Sequence, residues 1–179
     1  MRKLFLLLAA VVVVCDAWAA AAPNVPTEKS VGWDAMLTLV RTRFPKVAQL
    51  STAELDAWLQ DPKRAKPQVL DAREPAEFAV SHLAGAIRVS PDATAKEILA
   101  SVDAGRPIVV YCSVGYRSSR LAARLLEAGR KDVSNLEGSI FTWANEGRPL
   151  VAGAGKATRL VHPFDRVYGR LLKPECRAP

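Results

Sequence analysis

Pro107-Ile108-Val109-Val110-Tyr111-Cys112-Ser113-Val114-Gly115-Tyr116-Arg117-Ser118 is the stretch whose reading decides the fold. Ile108 to Tyr111 is apolar without alternation, the pattern of a strand covered on both faces, as in parallel sheets. Ser118 to Ala128 follows with Leu121, Ala122, Leu125 and Leu126 at helical spacing, and Gly129 supplies the stop. The stretch therefore predicts a buried strand, a short loop and a helix.

The same alternation extends in both directions. Upstream, Trp33, Met36, Leu37, Val40 and Phe44 share one helical face until Pro45, and Val47 to Leu50 reads as a short strand. Ser51-Thr52-Ala53-Glu54 is a capping box that opens a helix carrying Leu55, Trp58 and Leu59, which Asp61-Pro62 ends. Gln68 to Asp71 is a strand, Glu74-Pro75 starts a helix, Ile87 to Ser90 is a strand, and Ala95 to Val102 is helical. Downstream, Val133 to Leu136 is a strand and Ser139 to Glu146 a helix. Strands alternating with short helices predict an α/β fold with a parallel sheet of about five strands. Trp33 and Trp58 read as core residues.

Ligands of open parallel sheets bind outside the carboxyl ends of the strands. Cys112 stands there, at the start of a loop that leads into a helix N-terminus. Loop amides can turn toward its sulfur, Gly115 can adopt backbone angles closed to other residues, and the helix adds a positive dipole end. All three favour thiolate over thiol and make Cys112 a candidate nucleophile. Arg117 closes the loop and is a candidate holder of an oxyanion.

On these residues the chain resembles the rhodanese family. Cys112 to Ser118 looks like the family's active-site loop. Val69-Leu70-Asp71-Ala72-Arg73-Glu74, with Glu77-Phe78 and Ser81-His82-Leu83-Ala84-Gly85-Ala86, resembles its upstream signature, and Asn135-Leu136-Glu137-Gly138-Ser139, Trp143 and Gly147-Arg148-Pro149-Leu150 its ending. The resemblance covers residues 47–151 and implies a three-layer α/β/α domain with a central parallel sheet. It also implies a sulfurtransferase in which Cys112 takes a sulfane sulfur from a donor such as thiosulfate, becomes a persulfide, and passes the outer sulfur to a thiol or cyanide. No metal or cofactor is implied. Ser113, Val114, Gly115, Tyr116, Arg117 and Ser118 would surround the sulfur; Arg73 would contact substrate and Asp71 support the loop, the alternative being an ordinary ion pair between the two. Related phosphatases have one more residue between cysteine and arginine, so the shorter loop points to sulfur rather than phosphate. Ser113 stands where many members carry a basic residue. Two alternatives follow: a persulfide carrier or interaction module with little turnover alone, and a thiol redox or arsenate-type enzyme in which Cys176 resolves Cys112. His82 sits in what resembles a structural turn rather than in a Cys–His dyad, and His162 lies in the C-terminal segment.

The remaining sequence frames this domain. The chain has 179 residues, a net charge of +7 and 50% hydrophobic residues. Its three cysteines and two histidines have no ligand-like spacing, which excludes ordinary zinc sites. Residues 1–22 hold only three polar residues, Arg2, Lys3 and Asp16, and read as an export signal with cleavage after Ala19 or Ala22. The run from Leu4 to Cys15 is too short to span a bilayer, so no stable membrane insertion is expected once the signal is cleaved. An uncleaved anchor is the alternative; a lipidated Cys15 would need a small residue before it, where Val14 stands. The expected location is outside the cytoplasm, periplasmic in a Gram-negative source. Residues 23–46 read as linker and N-terminal helix. Residues 152–179 read as a basic extension, a candidate surface for a protein partner, with Lys156, Arg159, Arg166, Arg170, Lys173 and Arg177 set against Asp165 and Glu175. Leu160, Val161, Phe164, Val167, Tyr168, Leu171 and Leu172 are interleaved there, so part of the segment should pack on the domain. No basic-aromatic pattern points to nucleic acid.

Overall fold

A computed structural model describes residues 28–179. The expected export signal lies outside the described residues. Helix α1 (Glu28–Arg43) begins inside the stretch read as linker and stops ahead of Pro45. Then come β1 (Ala48–Leu50), α2 (Thr52–Gln60), β2 (Gln68–Asp71), α3 (Pro75–Val80), β3 (Ile87–Arg88), α4 (Ala95–Ser101), β4 (Ile108–Tyr111), α5 (Tyr116–Glu127), β5 (Val133–Leu136) and α6 (Ser139–Asn145).

The five strands form one parallel sheet in the order β1-β5-β4-β2-β3. Successive side chains of β4 point to opposite faces, as a strand requires. Val109 and Tyr111 join a core with Leu55, Trp58, Phe141 and Trp143 from α2 and α6. Ile108 and Val110 join the other, with Ile98, Leu121 and Leu125 from α4 and α5. These two cores make the expected three layers. The Ser51 capping box on α2 is present, its hydroxyl accepting from the Glu54 amide and the Glu54 carboxylate accepting from the Ser51 amide.

Three features differ most from expectation. β3 keeps only two residues, because the chain turns at Ser90 and Pro91 offers no N–H to a ladder. α5 starts at Tyr116 rather than Ser118, because Gly115, at φ 109°, closes the loop one residue earlier. Beyond α6, β6 (Leu150–Ala152) and β7 (Lys156–Thr158) form an antiparallel hairpin that the sequence reading did not foresee. Two 3-10 turns follow, Tyr168–Leu171 and Pro174–Cys176. Val161 and Leu172 are fully buried, so the C-terminal segment packs on the core.

β4 lies between β2, whose connection runs outward to β3, and β5 on the other side. Their carboxyl ends therefore flank the point where chain direction across the sheet reverses, which is where such sheets bind ligands.

Candidate active site

Cys112 follows β4 and is 1% exposed. Its sulfur accepts from the Gly115 amide at 3.2 Å and from the Ser118 hydroxyl at 3.4 Å. The same hydroxyl lies 2.6 Å from Asn135 Oδ1, whose amide nitrogen donates to Gln49 Oε1. A hydroxyl carries one proton, so Ser118 serves either Asn135 or a thiolate, and a negative sulfur competes best for it. The first amides of α5, at Tyr116, Arg117 and Ser118, have no acceptors within the helix.

The loop presents its N–H groups to the sulfur because α6 takes its carbonyls. Ile140 N–H donates to the Cys112 carbonyl at 3.2 Å and Phe141 N–H to the Ser113 carbonyl at 3.1 Å. Cys112 N–H donates to Ser139 Oγ, which in turn donates to the Leu136 carbonyl. The helix entry is tight: Gly138 sits at φ 66°, and a Cβ there would stand 2.0 Å from Thr142 Oγ1. So the Asn135-to-Ser139 segment and the cysteine loop lock together.

Arg117 projects back over the loop. Its Nη1 and Nη2 donate to both carboxylate oxygens of Glu77, at 2.8 and 2.7 Å, and Nη2 also donates to Ser113 Oγ. Ser113 Oγ donates to Glu77 at 2.8 Å. Glu77, on α3, is a site residue that the sequence reading does not single out. Burial pushes its carboxyl up, but the Arg117 hydrogen bonds and charge outweigh that and hold it below the usual carboxylate range. Arg117 is correspondingly raised by Glu77 and the cysteine sulfur against its own burial. For Cys112, burial disfavours the thiolate, yet the charge of Arg117 and the Ser118 and Gly115 hydrogen bonds outweigh it, and the thiol is lowered from its ordinary value.

Ser113, Val114, Tyr116 and Arg117 line a cavity of about 180 Å³ at Cys112, and Phe164 and Tyr168 of the C-terminal segment complete it. The Phe164 ring lies 4.7 Å from the Arg117 guanidinium carbon and meets Tyr168 edge to face at 5.7 Å. Neither aromatic was among the expected site residues.

Arg73, expected at the substrate, is fully buried and does not line this cavity. Its Nε and Nη2 donate to Asp71, Nη2 also donates to the Ser81 carbonyl at 2.6 Å, and its guanidinium lies over the Tyr111 ring. Arg73 and Asp71 thus brace the end of β2 against the end of α3. His82 stacks on Phe78 at 3.9 Å, in a bridge to Val151 rather than beside the sulfur. His162 accepts from the Phe164 amide. Cys112 is a free thiol, and the Cys176 sulfhydryl is directed to the Ala144 carbonyl at 3.4 Å.

Residues 51–146 match the rhodanese-like domain family. A sulfurtransferase of Allochromatium vinosum is 34% identical over 87 residues, covering 49% of this chain and 80% of that protein. Thiosulfate sulfurtransferase GlpE of Pseudomonas aeruginosa is 36% identical over 76 residues, 42% of this chain and 68% of that protein. The crystal structure of a rhodanese-like domain protein from Staphylococcus aureus superposes with a TM-score of 0.51 at 27% identity, covering 60% of this chain and all of that one. With a cysteine loop, flanking motifs and sheet order all in agreement, the chain belongs to the rhodanese-like domain family.

Proposed function

We propose that the protein is a sulfurtransferase that works through a persulfide on Cys112 and acts outside the cytoplasm. The observation that carries this reading is a buried sulfur aimed at the Gly115 amide and the Ser118 hydroxyl, with its thiol lowered. The thiolate attacks the terminal sulfur of a small sulfur-containing anion. The bond between the donor's two sulfurs breaks, and its electron pair leaves with the oxidised fragment, sulfite in the case of thiosulfate. The outer sulfur of the persulfide then rests among the loop amides, where its charge is stabilised without reorganisation. A thiolate or cyanide acceptor attacks that sulfur and returns Cys112 as thiolate.

Sulfur transfer from thiosulfate to cyanide, compared with a Cys112→Ser variant, tests the reading; transfer undiminished in the variant overturns it. The location is tested separately by the N-terminus of protein purified from its source, expected after Ala19 or Ala22. A second reading, a persulfide carrier that turns over slowly alone, draws on the engagement of Arg117 by Glu77. It predicts native protein already carrying an extra sulfur on Cys112, with little turnover until a partner is added.

A further inference from the structure

The charge beside Cys112 is already committed. Both η-nitrogens of Arg117 are taken by Glu77, and Phe164 covers the guanidinium face. Ser113, directly after the cysteine, brings a hydroxyl and no charge, and that hydroxyl is also directed to Glu77. Among the residues lining the cavity no other cation is present. An incoming dianion therefore meets a thiolate and an arginine already paired with a carboxylate, and must be desolvated there without a full counter-charge.

The walls of the cavity fit something else. Val114, Tyr116, Phe164 and Tyr168 provide apolar surface around about 180 Å³, and a cavity of roughly 150 Å³ suffices to hold benzene. Phe164 is not placed there by burial, because it remains 43% exposed. It is nonetheless held at φ 66°, a region that bulky residues rarely adopt. The His162 ring nitrogen accepts its amide, and the Asp165 amide closes back on the Pro163 carbonyl. A strained, half-exposed ring fixed at the mouth of a reactive thiol is placed for what enters.

We infer that Phe164 and Tyr168 make the Cys112 pocket selective for sulfane-sulfur donors with an apolar body, aryl or alkyl thiosulfonates, over inorganic thiosulfate. The inference rests on the sulfurtransferase reading above. In the step it describes, the Cys112 thiolate attacks the terminal sulfur of the thiosulfonate. The bond from that sulfur to the sulfonyl sulfur breaks, and its electron pair leaves on a sulfinate. One negative charge remains on the persulfide and one on the sulfinate, as two entered. Cyanide then removes the outer sulfur as thiocyanate and regenerates the thiolate. The organic group lies against the Phe164 and Tyr168 rings, while the transferred sulfur reaches the loop amides.

The test measures kcat/KM for benzenethiosulfonate, methanethiosulfonate and thiosulfate, with cyanide as acceptor, in the wild type, Phe164→Gly and Cys112→Ser. Glycine adopts φ 66° freely, so the ring is removed without strain; thermal unfolding verifies the fold. The wild type should prefer benzenethiosulfonate over thiosulfate by on the order of tenfold or more, and Phe164→Gly should reduce that ratio by a similar factor, mainly through KM of the aryl donor. Methanethiosulfonate, with less surface to lose, should change least among the two organic donors. A wild type that uses thiosulfate best, or a ratio unchanged in Phe164→Gly, overturns the inference and leaves the sulfurtransferase reading standing. Transfer that survives Cys112→Ser, or no transfer from any of the three donors, overturns both.

Discussion

Glu77 on α3 grips Arg117 of the cysteine loop through both carboxylate oxygens, at 2.7 and 2.8 Å, across forty residues of sequence. The pair does two things at once. It pins the loop to the helix after β2, and it tempers the field that Arg117 exerts on the Cys112 sulfur. Glu77→Gln keeps the shape and removes the charge. Stability should fall by about 2–3 kcal/mol, below the usual cost of breaking a fully buried pair because Arg117 retains some exposure. The thiol should titrate lower still, since Arg117 then acts on it unopposed. Thermal unfolding and ultraviolet thiolate absorbance, taken against Cys112→Ser to remove Cys176, measure both.

Arg117→Met tests the other side of the pair. Without the guanidinium, burial of Cys112 is opposed only by Gly115 and Ser118, so its titration should move up. Sulfur transfer at neutral pH should fall with the thiolate fraction and recover as pH is raised. A titration that stays in place would show that the loop amides alone hold the thiolate.

The acid limb of stability follows from Glu77. Its carboxyl titrates below its ordinary value in the folded protein, so it contributes stability that is fully present above the unfolded value of about 4.3. That contribution is lost as pH falls through the folded value. Urea midpoints for wild type and Glu77→Gln, from about pH 6 downward, should converge on the acid side. A gap that widens on acidification would reverse the sign.

How much was legible in the sequence depended on distance along the chain. Ile108 to Tyr111 could be read because a strand buried on both faces must be apolar throughout, and the Ser51–Glu54 cap because its partners lie three residues apart. Cys112 and its loop were legible for the same local reason. Ser118 was expected both at the start of the helix and around the sulfur; Gly115 opens the helix two residues earlier, and the Ser118 hydroxyl lies within reach of either the sulfur or Asn135. Glu77 was missed because nothing local says that a carboxylate on α3 will meet Arg117. Arg73 was misplaced because the family resemblance set it near substrate, whereas in this chain Asp71 and the Ser81 carbonyl engage it internally. The apolar rhythm of the C-terminal segment announced packing, and Val161 and Leu172 comply. That Phe164 would cover the cysteine is a non-local outcome that periodicity does not carry.

Gly138→Ala separates loop geometry from the thiol's own chemistry. A methyl group there meets Thr142 Oγ1, and φ 66° is strained for alanine, so the entry to α6 must shift at a cost of about 1–3 kcal/mol. The Ile140 and Phe141 amides would then leave the Cys112 and Ser113 carbonyls. Thiolate stability should drop along with the melting temperature, although no residue touching the sulfur has changed. Gly138→Ala with an unaltered thiol titration would mean that α6 does not set the loop.

The central claim is that Cys112 carries the sulfur. Purified protein exposed to a sulfane-sulfur donor and then analysed by mass spectrometry of its peptides tests this most directly. The account predicts one additional sulfur on the peptide containing Cys112, discharged stoichiometrically when cyanide is added, and none in Cys112→Ser. An unmodified Cys112 in protein that still transfers sulfur, or loading that persists in Cys112→Ser, would contradict it.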